Sequence, residues 1–281
     1  MTSFQYHSQI IIRTALLAIL ASGLAACSIA QSSSNSYATF AEWCENLENL
    51  SPDTRHTVEV LLEYAGTQEC DRADETLSQL TELGLNKQQI VDVQPLSVLT
   101  NLTILVLADN QVIDVQPLSK LTNLTYLSLS INQVSDLSPL SDLTNLIELN
   151  VGSNQISNVE PLANLSNLAS LSLQYNQITD LQPLASLSNL EVIDVGANQV
   201  TDVRALSGLT NLFWLGLASN QISDIEPLSN LVNLEVLYLA DNPISDVSSL
   251  SSLTMLSYLF LENTLLSDPT CPVEPASVCS F

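Results

Sequence analysis

An asparagine returns every 22 residues, at Asn110, Asn132, Asn154, Asn176, Asn198, Asn220 and Asn242, without a slip. A short fixed period constrains a chain more than any local propensity, because each copy is too small to bury its own apolar face and must stack on its neighbours. Around each Asn stands the pattern L-x-x-[LI]-x-[LV]-x-x-N-x-[IV]-x-[DN]-[ILV]-x-P-L-x-x-L. One full copy runs through Leu124, Leu127, Leu129, Asn132, Val134, Asp136, Leu137, Pro139, Leu140 and Leu143. Departures are small: Val151 and Val195 replace the third Leu, Ile193 the second, and Ala205 and Ser249 the Pro. A degenerate first copy starts at Leu80 with Gln88 in the Asn place, and a degenerate last copy at Leu256 with Thr264 there. Nine copies thus cover residues 80–269.

Each column has a physical task. The L-x-L segment alternates in the manner of a half-buried strand, and stacked coils would pair these strands into one parallel sheet at ~4.8 Å per coil. The Asn falls where the chain turns out of the strand, and its amide can both donate to and accept from backbone groups of neighbouring coils. Pro95, Pro117, Pro139, Pro161, Pro183 and Pro227 open a short helical turn, where a missing N–H costs nothing. The leucines that follow bring that turn back to the core. A Pro in most copies excludes a coiled coil, and a propeller needs a period of ~40 residues. A parallel β-helix is the remaining rival, which the L-x-x-L-x-L-x-x-N signature disfavours.

These residues resemble the bacterial leucine-rich-repeat family, in its 22-residue internalin-like subtype, over about two thirds of the chain. The resemblance implies an α/β leucine-rich-repeat solenoid. It would be a curved right-handed superhelix with a parallel sheet on the concave face, short helical turns on the convex face and a small helical N-terminal cap.

The ends require their own elements, because an open array exposes core at both. Residues 39–79 are expected to form a helical cap. Ser51-Pro52-Asp53 starts a helix with Val58, Leu61 and Leu62 on one face, Gly66 stops it, and a second helix runs from about Asp71 to Leu80. Residues 270–281 would close the other end. Ahead of the cap, residues 1–26 read as a signal peptide, with Arg13 before an apolar stretch from Thr14 to Ala26. Leu24-Ala25-Ala26-Cys27 looks like a lipobox, which implies cleavage before Cys27, lipidation of its thiol and anchorage to the cell envelope, at the outer membrane or cell surface. Residues 27–38 would be a flexible tether. Setting Cys27 aside leaves Cys44, Cys70, Cys271 and Cys279. Pairing by nearness gives Cys44–Cys70 and Cys271–Cys279, since any other pairing joins opposite ends of a long array. Disulfides imply an oxidising compartment.

Between the inward leucines of each strand lie two display columns that vary while the Leu and Asn columns hardly do. The first contains Tyr126, Val192, Trp214, Val236 and Tyr258, and the second Asp194, Gly216, Tyr238 and Phe260. Trp214, Tyr238, Tyr258 and Phe260 fall on the last three coils and, with Tyr126, are the candidate partner-binding residues, because exposed aromatics are enriched at binding hot spots. The competing expectation is that the C-terminal cap covers them. A further column holds Asp92, Asp114, Asp136, Asp180, Asp202, Asp224, Asp246 and Asp268, with Asn158 filling the gap. Stacked carboxylates raise calcium, but one carboxylate per coil, and an Asn in the series, favour a turn-capping role.

Charge and chemistry narrow the function. With 30 Asp+Glu against 6 Lys+Arg and a net charge of −24, the surface repels phosphate, so nucleic acid is a poor partner and contact with a membrane would run only through Cys27. His56 is the single His after the leader, no Cys-x-x-Cys occurs, and phosphate-loop, nucleophile-elbow and zinc-protease motifs are absent. No enzyme activity, cofactor or metal is therefore expected. The expectation is a monomeric, lipid-anchored module that binds a protein through its concave face, in adhesion or host contact. Glycan binding or a purely envelope-structural role are the alternatives.

Overall fold

The computed structural model describes residues 36–281. The leader, Cys27 and most of the tether lie outside the described residues. The helical cap comprises α1 (Phe40–Glu45), α2 (Pro52–Ala65) and α3 (Cys70–Leu77). Each boundary of α2 has a local cause. The Ser51 side chain accepts from Thr54 N–H at the start, and Gly66 takes the left-handed conformation at φ 67° at the end. Val58, Leu61 and Leu62 are buried as a single face. The α3 helix begins one residue earlier than its periodicity suggests and stops at Leu77, where Leu80 N–H turns back to the Leu77 carbonyl. The short helix α1 was not singled out in the sequence. Its Phe40 and Trp43 are buried, and Thr39 caps it.

Ten strands follow, in one parallel sheet whose spatial order is the chain order. They are β1 (Glu82–Gly84), β2 (Ile104–Val106), β3 (Tyr126–Ser128), β4 (Glu148–Asn150), β5 (Ser170–Ser172), β6 (Val192–Asp194), β7 (Trp214–Gly216), β8 (Val236–Tyr238), β9 (Tyr258–Phe260) and β10 (Cys279–Ser280). From β1 to β9 each residue pairs with the one 22 positions on, as Leu127 with Leu149 and Leu149 with Leu171. Short 3-10 helical turns such as Gln116–Lys120 and Gln182–Ser186 lie between strands, with Pro in their first positions. The seven apolar columns are buried. In one coil Leu124, Leu127, Leu129, Val134, Leu137, Leu140 and Leu143 are each at most 1% exposed.

Two asparagine ladders tie the coils together. In the first, Asn132 Nδ2 donates to the Leu107 and Leu129 carbonyls, both at 2.9 Å, and its Oδ1 accepts from Val112 N–H at 2.9 Å. Asn110 through Asn242 repeat this arrangement. The second ladder is one that the pattern above omits. Asn101, Asn123, Asn145, Asn167, Asn189, Asn211 and Asn233 also recur every 22 residues, and each donates at 2.8 or 2.9 Å to a carbonyl 23 residues back, Asn101 to Ser78 of the cap and the others to the preceding coil. The Asp column forms neither ladder nor cluster. Asp114 and Asp180 each accept from the N–H two residues on, at 2.8 Å, and Asn158 does the same at 2.9 Å. A neutral amide in the identical bond is what a turn cap predicts.

Both ends carry disulfides, Cys44–Cys70 and Cys271–Cys279. The cap docks on the first coil by polar contacts as well as packing. Thr57 Oγ1 donates to the Asp92 carbonyl at 2.6 Å, Thr54 Oγ1 donates to the Asp92 carboxylate, and the His56 ring bonds the Gln88 carbonyl at 2.6 Å. His56 thus has a structural contact and is not a free surface residue. At the other end the segment after the last repeat turns back and adds β10 to the sheet, with Leu261 N–H donating to the Ser280 carbonyl at 2.8 Å. Among the described residues no helix is long and apolar enough to cross a membrane.

Candidate functional site

Parallel register decides what the display columns become. Trp214, Val236 and Tyr258 form one row across β7, β8 and β9, and Gly216, Tyr238 and Phe260 form the next. Strands ~4.8 Å apart place aromatic neighbours at stacking distance. The Tyr238 and Phe260 rings stack with centroids 4.3 Å apart and planes 6° from parallel. Trp214 tilts against Tyr238 at 5.3 Å, and Tyr258 runs parallel to Phe260 at 6.4 Å. Four residues on three successive strands become one contiguous aromatic patch.

The C-terminal segment leaves this patch accessible. Because β10 continues the sheet beside β9, with Ser280 opposite Phe260, it extends the edge instead of folding across the face. Tyr258 remains 59% exposed, and Trp214, Tyr238 and Phe260 are half-buried against one another. Tyr126 stands apart. Its partners across the sheet are Ile104 and Glu148, and three strands lie between it and the nearest of the other aromatics, Trp214.

Beside the patch is a hollow of about 200 Å³, lined by Gln174, Tyr175, Asp194, Trp214, Gly216 and Tyr238 among others. Asp194 is the charged group in it. Burial pushes its carboxyl above the ordinary carboxylate value, and the Gly196 N–H, donating to Oδ1 at 2.9 Å, only partly offsets this. Gln174, Tyr175, Asp194 and Gly216 went unremarked as a site. The available signal was a Gly in a display column, beside an aromatic on its own strand and an Asp on the strand before. Among the described residues no cluster of His, Cys, Asp or Glu could hold a metal ion.

Stacked 22-residue coils, two asparagine ladders and a variable aromatic face on the parallel sheet define a leucine-rich-repeat solenoid. A family described as leucine rich repeats in two copies matches residues 122–164, 166–208 and 210–252. Internalin C2 of Listeria monocytogenes is 37% identical, with a TM-score of 0.70, over 76% of this chain and 96% of that one. The chain belongs to the bacterial internalin-like leucine-rich-repeat family. A leucine-rich-repeat protein of Leptospira interrogans is 25% identical, with a TM-score of 0.65, over 74% of this chain and 56% of that one. The ectodomain of a plant receptor kinase from Arabidopsis thaliana, solved in complex with Casparian strip integrity factor 2, is 25% identical with a TM-score of 0.62. That match covers 68% of this chain and 25% of the other. No curated protein matches the chain.

Proposed function

We propose that this protein is an extracytoplasmic binding module that captures a protein partner on the sheet face of its last three repeats, in adhesion or contact with another cell surface. The observation that carries this reading is the convergence of Trp214, Tyr238, Tyr258 and Phe260 into one accessible patch. Large rigid rings supply contact area at low cost in side-chain entropy, which is why they dominate protein interfaces. Kinship with internalins, and a related ectodomain solved with a bound partner, support a binding role over catalysis. Lipidation of Cys27 would hold the module at the envelope, and the two disulfides suit an oxidising compartment. A sugar platform is less well served. Tyr238 has Trp214 against it on one side and Phe260 on the other, so its faces are occupied by neighbours.

The test is capture by chemical crosslinking on intact cells, comparing the parent with Trp214→Ala/Tyr238→Ala. Loss of a saturable crosslinked species, with melting unchanged, is the expected result. Equal capture by the double variant removes this face from consideration. Separately, Cys27→Ser should move the protein out of the membrane fraction, and retention there would end the lipid-anchor proposal.

A further inference from the structure

The hollow beside the aromatic patch has a chemistry of its own. It borders Gly216, whose lack of a side chain lets two others close in. A Cβ there would stand 2.6 Å from Asp194 Oδ1 and 2.8 Å from Trp214 Cη2, so the carboxylate and the indole edge converge over a bare backbone. Asp194 is half-buried, yet among the described residues no cation pairs with it. Among the described residues the ion pairs are Lys87–Asp109 and Arg204–Asp202, both elsewhere. Among the described residues its one hydrogen bond comes from the Gly196 N–H. A second acceptor is also unsatisfied. Gln174, folded over Gly152, buries its Oε1 without a hydrogen-bond donor. Buried acceptors without donors are rare and call for an explanation.

We infer that this hollow receives an arginine side chain from the protein partner, with the guanidinium against Trp214 and donating to Asp194. Three physical arguments select this occupant. An uncompensated, partly desolvated carboxylate gains most from a cation that also donates hydrogen bonds. An indole attracts cations to its face, and the planar guanidinium can stack there while binding a carboxylate, which an ammonium cannot do. The volume, about 200 Å³, is below the range of small-molecule pockets (~300–1,000 Å³) and suits one long side chain. The net charge of −24 would draw a basic segment toward the face. The identity of the donor as a partner's side chain rests on the proposed use of this face.

The test reports on the hollow directly. The chain has two tryptophans, Trp43 and Trp214. Replacing Trp43→Phe forfeits no hydrogen bond, because the Trp43 Nε1 is buried without one, and it leaves Trp214 as the sole tryptophan, which can be excited apart from the tyrosines. Titration of this full-chain variant with arginine amide should give a saturable change in emission, stronger than with lysine amide. Asp194→Asn, with unchanged melting, should weaken it by about tenfold, and Gly216→Ala should abolish it by pushing the carboxylate and the indole apart. Equal binding after Asp194→Asn, no saturable response in the parent, or tighter binding of choline than of arginine amide would each overturn the inference. The two readings fail separately. Loss of capture in Trp214→Ala/Tyr238→Ala without an arginine response keeps the face and removes the arginine. An Asp194-dependent arginine response with intact capture in the double variant overturns the proposed function and leaves the arginine site standing.

Discussion

At the scale of single residues, the position before each ladder Asn has a peculiar burden. Asp109, Ile131, Ser153, Tyr175, Ala197, Ser219 and Asp241 all sit at φ between 52° and 58°, as does Asn263 before Thr264 in the last coil. That left-handed conformation is unfavourable for a residue with a Cβ and worst for a β-branched one, while Asn and Asp tolerate it. It recurs in each coil because the ladder Asn must turn inward to reach carbonyls of two coils. Ile131 is therefore the strained member, and at 53% exposure it gains little from packing. Ile131→Asn should stabilise the protein by ~1 kcal/mol, read as an increased urea midpoint at unchanged slope. A decrease would mean that the exposed isoleucine is held by contacts that offset its backbone strain.

At the scale of elements, the ends depend on crosslinks and the middle on repetition. A central coil has neighbours on both sides and two asparagine ladders, whereas each cap has one neighbour. The N-terminal bridge closes 26 residues and the C-terminal bridge 8. Chain-entropy estimates for loops of those lengths are about 3.5 and about 2.5 kcal/mol. Cys44→Ala/Cys70→Ala should thus cost more stability than Cys271→Ala/Cys279→Ala in parallel denaturant melts. The reverse order would show that β10, held by its disulfide against β9, protects the array more than the helical cap does. Helix α1 shows why the cap was only partly legible. Six residues are too few for their apolar spacing to announce a helix, and its position depends on Phe40 and Trp43 packing against the rest of the cap and on Phe40 N–H donating to Asp74 Oδ1 at 2.8 Å.

At the scale of the whole molecule, a net charge of −24 sets two effects against each other as pH falls. Protonation relieves like-charge repulsion. It also removes carboxylates that the fold holds in their charged form. Asp136 lies below the ordinary value through hydrogen bonds from Ser138, Asp202 through its hydrogen bond with Arg204, and Asp246 through backbone and side-chain bonds from Ser248. A carboxylate depressed on folding stabilises above its unfolded value, near 3.8, and that contribution is lost as pH falls through the folded value. Asp194, raised by burial, has the opposite sign, and its contribution disappears as pH rises through its folded value. Stability should therefore increase from neutral pH to about pH 5 and decline below about pH 4. A melting temperature that keeps climbing to pH 3 would show that repulsion outweighs every capped carboxylate.

The division between chain and fold follows from periodicity. A 22-residue repeat with leucines, asparagines and prolines in register favours one architecture over a parallel β-helix, so the stacked coils, the parallel sheet and the buried columns could be written down from Leu124, Asn132 and Pro139 and their equivalents. The turn role of the Asp column was readable as well, because Asn158 occupies the same place. Tertiary structure decided which unlike side chains meet across coils. It continued the sheet through β10 and let Tyr238 and Phe260 stack. It also set Asp194 and Trp214 over the bare backbone of Gly216. Repetition specifies what each residue does within its own coil. Contacts between unlike side chains 20 or more residues apart depend on rotamers and exclusion of water, which exist only once the coils are stacked.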